Sequence, residues 1–174
     1  VAQAGAWGHD PTRIGVAGDS AGGNLAAVLC QDLGTAEETR PAFQLLFFPV
    51  TDLASEHPSY DDFGEGFFLT RKQMTWYRTH YLGDQPADHP RVSPLRAEDL
   101  TGLPPAYVAV SGFDVLRDEG EAYALRLAEA GVPVALRRHD GLVHAFVNAT
   151  GVGRTGREAM LEADWDTCVA MAKE

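Results

Sequence analysis

The chain has 174 residues, enough for one domain and too few for two of ordinary size. Hydrophobic residues make up 45% of it, which supports a substantial buried core, while 25 Asp plus Glu against 14 Lys plus Arg give a formal net charge of −11. That charge repels phosphate backbones and anionic lipid surfaces, so no nucleic-acid partner is expected, and no apolar run approaches the roughly 18–20 residues of a membrane span.

In chain order, residues 13–19 form a short apolar run that predicts a strand ending in a glycine-bracketed turn. Residues 20–33 follow as a helix so dense in Ala, Leu and Val that it reads as buried nearly all round. Residues 43–50 are a second continuous apolar run, short enough for a strand covered on both faces. Residues 106–113 are a third strand, and residues 133–139 a fourth whose alternation suits a sheet edge. Between these last two, residues 117–130 read as a helix closed by Gly131, and another helix is expected from Arg157 to the C-terminus. Strands alternating with helices in this order imply an α/β fold around a mainly parallel sheet. Residues 55–88 break the rhythm with a long aromatic-rich excursion, a pattern typical of a functional lid.

Cys30 and Cys168 form neither a disulfide framework nor a metal-ligand spacing. Both read as buried free thiols of a reducing, cytoplasmic setting, with a disulfide between them as the open alternative.

Gly18-Asp19-Ser20-Ala21-Gly22 matches Gly-x-Ser-x-Gly between a predicted strand and a predicted helix. In that context Ser20 occupies a strained turn with its hydroxyl exposed, and the Ala21 backbone N–H points to where an oxyanion would develop. A serine hydroxyl needs a base, and the base an orienting acid. In a hydrolase of this type the three follow in the order Ser, acid, His, at the ends of successive strands. Asp114 follows the third strand and His144 the fourth, so these three residues are the expected catalytic set. Asp118 and Glu119 are rival acids, but their place at a helix start is explained by the helix dipole. His139 is assigned to the strand, and His9, His57, His80 and His89 all precede the acid.

These residues together resemble the hormone-sensitive-lipase family of bacterial esterases. Gly18 to Asn24 is similar to its nucleophile motif, and Phe113-Asp114-Val115-Leu116-Arg117-Asp118-Glu119-Gly120 to its acid loop. Leu103-Pro104-Pro105-Ala106 and the segment from Gly141 to Phe146 fit as well. The resemblance implies an α/β-hydrolase fold and hydrolysis of short- to medium-chain carboxylic esters through an acyl-enzyme, without metal or cofactor. It also implies that residues 55–88 are part of a cap, with Phe67, Phe68, Leu69 and Trp76 as acyl-pocket walls; core packing is the competing explanation for those side chains.

There are departures from the family pattern. His144-Ala145-Phe146 stands where the family has His-Gly-Phe. The family's His-Gly-Gly-type loop, which supplies the other oxyanion donors, has no counterpart here, and neither do its first strands. The chain opens with Val1, and residues 1–8 read as the tail of a helix that starts upstream. The expectation is therefore the C-terminal part of one α/β-hydrolase domain, prone to self-association or needing complementation by an N-terminal segment. A peptidase or amidase on the same fold, and a non-catalytic binding remnant, are the competing functions.

Overall fold

The computed structural model describes residues 3–34 and 40–163. Among these residues four strands, β1 (Val16–Asp19), β2 (Gln44–Phe47), β3 (Ala106–Phe113) and β4 (Val134–Val143), pair in parallel and in sequence order. The α-helices among the described residues are α1 (Ala21–Leu33), α2 (Ser59–Phe63), α3 (Arg71–Leu82), α4 (Arg117–Glu129) and α5 (Arg154–Glu162). The α/β architecture expected from the strand and helix rhythm is the one observed.

The layering follows from the two-residue period of a strand. Along β3, Val108 and Val110 pack with Ala26 and Ala27 of α1 and with Tyr123 and Leu127 of α4. The alternate residues Tyr107 and Ala109 face the other way and join Phe43, Phe47, Phe146 and Ala159 of α5. A third cluster, including Val50, Leu69, Met74 and Leu116, gathers residues that follow the carboxyl ends of β2 and β3 with residues of the 55–88 excursion. Ligand sites of open parallel sheets form at this end of the strands.

Several boundaries differ from the sequence reading, each for a local reason. β1 starts three residues later than expected, because Asp10 accepts a hydrogen bond from the Thr12 amide (2.9 Å) and turns residues 11–13 into a 3-10 helix. β2 stops at Phe47: Phe48 takes a positive φ of 34°, and Pro49 has no N–H to offer the ladder. β4 runs on to Val143 instead of ending at His139, so only His144 onward leaves the sheet. Gly112 permits this extension, since a Cβ there would lie 2.3 Å from the Asp140 carbonyl oxygen. Helix α5 begins three residues before Arg157, and Cys168 lies outside the described residues.

The expectation that the first helix is buried all round is wrong. Its buried side carries Gly23, Asn24, Ala26, Ala27 and Cys30, whereas Leu25 and Leu29 are 59% and 43% exposed. The small residues are the ones facing the sheet, and the two leucines, one helical turn apart, share the opposite stripe.

Candidate active site

The turn after β1 is shaped by contacts that leave no room for side chains. A Cβ on Gly18 would sit 2.2 Å from the backbone of Gly22, so only glycine fits there. Ser20 is held at φ 53° and ψ −117°, a conformation non-glycine residues rarely adopt. Its amide donates to the Phe47 carbonyl (2.9 Å), and its own carbonyl accepts from the amides of Asn24 (3.1 Å) and Val50 (3.2 Å). The strain is thus locked in place by β2 and by the first turn of α1. Ala21 is the first residue of α1, where backbone N–H groups have no partner within the helix and the dipole favours negative charge.

Asp114 lies just past β3 and is fully buried. Its Oδ1 accepts from the Leu116 amide (3.0 Å), and its Oδ2 stands 2.7 Å from Nδ1 of His144. The other ring nitrogen of His144, Nε2, is 3.0 Å from Oγ of Ser20. A carboxylate at Nδ1 fixes the proton on that nitrogen, leaving Nε2 as the acceptor of the serine O–H. The structure therefore brings together the three residues singled out from the sequence, in a continuous hydrogen-bonded line. The imidazole also leans on Phe48, centroids 4.6 Å apart, which in turn meets Phe146 edge-on at 5.2 Å.

Ser20, Ala21 and His144 open onto a cavity of about 670 Å³. Phe68, Leu69 and Trp76, three of the expected pocket walls, line it. Phe67, the fourth, is not among the lining residues. It stacks on Phe113 (5.2 Å, 5° between planes) and meets Phe63 edge-on, so packing is the reading that holds for it. Phe68 reaches the cavity with a positive φ of 71° and 70% exposure. Leu25, Val50, Leu53, Met74, Tyr77 and Tyr81 complete the apolar lining. Sequence reading missed these six; the i, i+3 and i+4 spacing of Met74, Tyr77 and Tyr81 from one another within α3 was the available signal.

The rival residues have other partners. Asp118 accepts from the Ser59 amide (2.8 Å) and pairs with Arg117 (2.7 Å), so it braces α2 as well as standing in the first turn of α4. Glu119 is fully buried and accepts from the amides of Thr51 and Asp52, a role beyond the dipole that the sequence suggested. His57 faces buried Asp52 (3.1 Å), which Arg96 also holds. Burial alone would raise the Asp52 carboxyl, but hydrogen bonds from His57 and Arg96 hold it well below the usual range. His139 lies in β4 against Phe146 (5.3 Å), and burial lowers its basicity. Among the described residues, no group of three or more His, Cys, Asp or Glu is placed to hold a metal ion, and no helix is long and apolar enough to cross a membrane.

Residues 1–148 match the family model described as alpha/beta hydrolase fold. The chain belongs to the α/β-hydrolase family. Within this family it is 47% identical over 163 residues to the carboxylic ester hydrolase LipN of Mycobacterium tuberculosis, a match covering 84% of this chain and 43% of that protein. It is 35% identical to an ethyl acetate hydrolase of Pseudomonas putida, covering 92% and 51% respectively. Among solved structures, an α/β hydrolase enzyme from the metagenome of Lake Arreo superimposes with a TM-score of 0.88 at 42% identity, covering 99% of this chain and 53% of that one. The chain thus spans about half the length of the relatives it matches. These α/β-hydrolases bear out the resemblance to hormone-sensitive-lipase-type bacterial esterases read from the motifs.

Proposed function

We propose that the chain carries the catalytic apparatus of a carboxylic ester hydrolase acting on short- to medium-chain acyl esters, with Ser20 as nucleophile, His144 as general base and acid, and Asp114 as orienting acid. The observation that carries the proposal is the line from Asp114 through His144 to Ser20, at 2.7 and 3.0 Å, opening on an apolar cavity. Ser20 Oγ attacks the ester carbonyl carbon while its proton passes to His144 Nε2. The oxyanion that forms accepts from the Ala21 N–H, aided by the dipole of α1. Collapse expels the alcohol, which takes the proton from His144, and leaves Ser20 acylated. His144 then deprotonates a water that attacks the acyl carbonyl, and the serine leaves with the proton restored. Asp114 stays ionised and stabilises the imidazolium in both steps. Phe68, Leu69 and Trp76 enclose the acyl chain. The names of the relatives, among them a hydrolase of ethyl acetate, support the ester class and the short acyl group.

The domain assignment proposed is the C-terminal portion of one α/β-hydrolase domain, with residues 55–88 as part of its cap. The exposed Leu25 and Leu29 support a chain that self-associates or is complemented by an N-terminal segment of the family type. The buried thiol of Cys30, pushed up to about 12 by burial, suits a reducing cytoplasmic setting.

Intact-mass analysis with an organophosphate probe tests the assignment. A single adduct that maps to Ser20 and disappears in Ser20→Ala, together with loss of p-nitrophenyl ester turnover in that variant, is expected. Turnover of anilides in preference to esters would favour an amidase. A folded protein that takes no adduct would be a non-catalytic module.

A further inference from the structure

Glu119 sits in the first turn of α4 with no exposed surface and no cationic partner among the described residues. Its Oε1 accepts from the backbone amides of Thr51 (2.8 Å) and Asp52 (3.2 Å), and the buried Oε2 has no hydrogen-bond partner among the described residues. Thr51 completes a reciprocal clasp by donating its hydroxyl to the Glu119 carbonyl (2.7 Å). The same short loop is bound on its other side to the nucleophile turn. The Val50 amide donates to the Ser20 carbonyl (3.2 Å), and Asn24 Nδ2 donates to the Val50 carbonyl (2.8 Å). The first turn of α4 also leads back to the acid: Gly120, next to Glu119, donates to the Leu116 carbonyl (3.0 Å), and the Leu116 amide donates to Asp114 Oδ1 (3.0 Å).

The turn that carries Ser20 and the start of α4, which follows Asp114, are therefore joined through loop 50–53, and two amides of that loop donate to the Glu119 carboxyl. We propose that Glu119 is a positioning residue that sets the nucleophile turn against the acid turn. The proposal rests on the esterase reading only for its kinetic consequences.

The chemistry of the side chain fits this task. Burial without a cation raises its carboxyl well above the ordinary range; the two amide hydrogen bonds oppose that shift but do not cancel it. The charged groups around it add to the rise. Asp52, itself paired with Arg96 and His57, and Asp114, paired with His144, both oppose a further negative charge, and the buried Tyr60 hydroxyl is raised in part by Glu119. A neutral acid leaves Oε1 free for both amides and carries its proton on Oε2. A glutamine reproduces that arrangement without the titration.

The sign of the resulting pH effect is fixed. The unfolded chain loses the Glu119 proton near the ordinary value of 4.5, while the native protein keeps it to a higher pH. This contribution to stability is fully present below that ordinary value and is lost as pH rises towards the native value.

The test uses the full-length protein. In a folded Glu119→Ala variant, kcat for p-nitrophenyl butyrate should fall about 100-fold with KM within about twofold, the signature of misaligned catalytic groups. Glu119→Gln should restore kcat to within about threefold and remove the part of the stability that Glu119 loses as pH rises above the ordinary carboxylate value. The crystal structure of Glu119→Ala should show His144 Nε2 beyond hydrogen-bond reach of Ser20 Oγ. If Glu119→Ala does not fold, Thr51→Val, which removes the hydroxyl half of the clasp, should lower kcat several-fold at constant KM. A folded Glu119→Ala protein with wild-type kcat, or one that keeps the Ser20–His144 contact, overturns the proposal, as does a Thr51→Val enzyme with unchanged kcat. An inactive wild-type protein would instead sink the esterase reading, and the Ser20–His144 spacing in Glu119→Ala would still decide the positioning role.

Discussion

The imidazole of His144 rests against the ring of Phe48, with centroids 4.6 Å apart and planes inclined at 58°. Two hydrogen bonds fix the ring at its nitrogens, and Phe48 supports its face. Phe48 is itself fully buried and held at a positive φ of 34°, a cost the surrounding packing must sustain. Phe48→Ala should destabilise the protein by about 3–5 kcal/mol, the usual range for emptying an aromatic core position. In the fraction that folds, kcat should drop more than KM rises. Urea titration and initial rates on the same sample measure both. An unchanged kcat would mean that the hydrogen bonds alone hold the ring.

Asp114→Asn should lower turnover by about 10⁴-fold, because an amide at that position favours the wrong imidazole tautomer. Asp118→Asn leaves the Asp114–His144 contact untouched and loses the pairing with Arg117, so its effect on turnover should stay within about tenfold. Single-turnover rates of the two variants separate the acids. A greater loss in Asp118→Asn would reverse the assignment.

Ala145 occupies the left-handed region at φ 65° and ψ 22°, where the family pattern has glycine. An L-residue there is disfavoured by about 1–2 kcal/mol, part of which a glycine gives back as chain entropy on folding. Ala145→Gly should therefore stabilise the protein by roughly 0.5–1 kcal/mol and leave kcat within about twofold. Chemical denaturation reads the first quantity. A destabilised variant would show that the methyl group makes a contact worth more than the strain.

Trp76 lines the cavity, whereas Phe67 is stacked on Phe113 away from it. Trp76→Ala should raise KM for a hexanoate ester about tenfold while changing the acetate ester little, since a longer chain has more apolar surface to bury against the cavity wall. Phe67→Ala should lower stability without altering chain-length preference. Steady-state kinetics over a series of p-nitrophenyl esters decides between them; equal sensitivity of acetate and hexanoate to Trp76→Ala would remove it from the acyl pocket.

Residues 1–174 made alone should self-associate. Leu25 and Leu29 present an apolar stripe on α1, and among the described residues β1 pairs on one side only, with β2. Sedimentation velocity over a range of concentrations is the check. A monodisperse monomer would show that these surfaces are tolerated in water.

The order of the four strands, the helices α1 and α4, the nucleophile turn and the three residues of the proposed catalytic line were legible in the sequence, whereas α2 and α3 inside the 55–88 excursion were not. The legible features are local or depend only on chain order: glycine at Gly18 is demanded by a backbone contact four residues away, and an acid and a histidine must follow later strands. Tertiary structure alone decided which face of each element meets another. The apolar composition of α1 concealed that its small residues, not its leucines, touch the sheet. The two adjacent phenylalanines Phe67 and Phe68 part company, one to a stack and one to the cavity, because a positive φ at Phe68 turns the chain between them. Glu119 looked like a helix-terminal acid, since the amides it accepts from lie 67 and 68 residues away. A side chain's partners across such distances are fixed by packing, and no periodicity in the sequence records them.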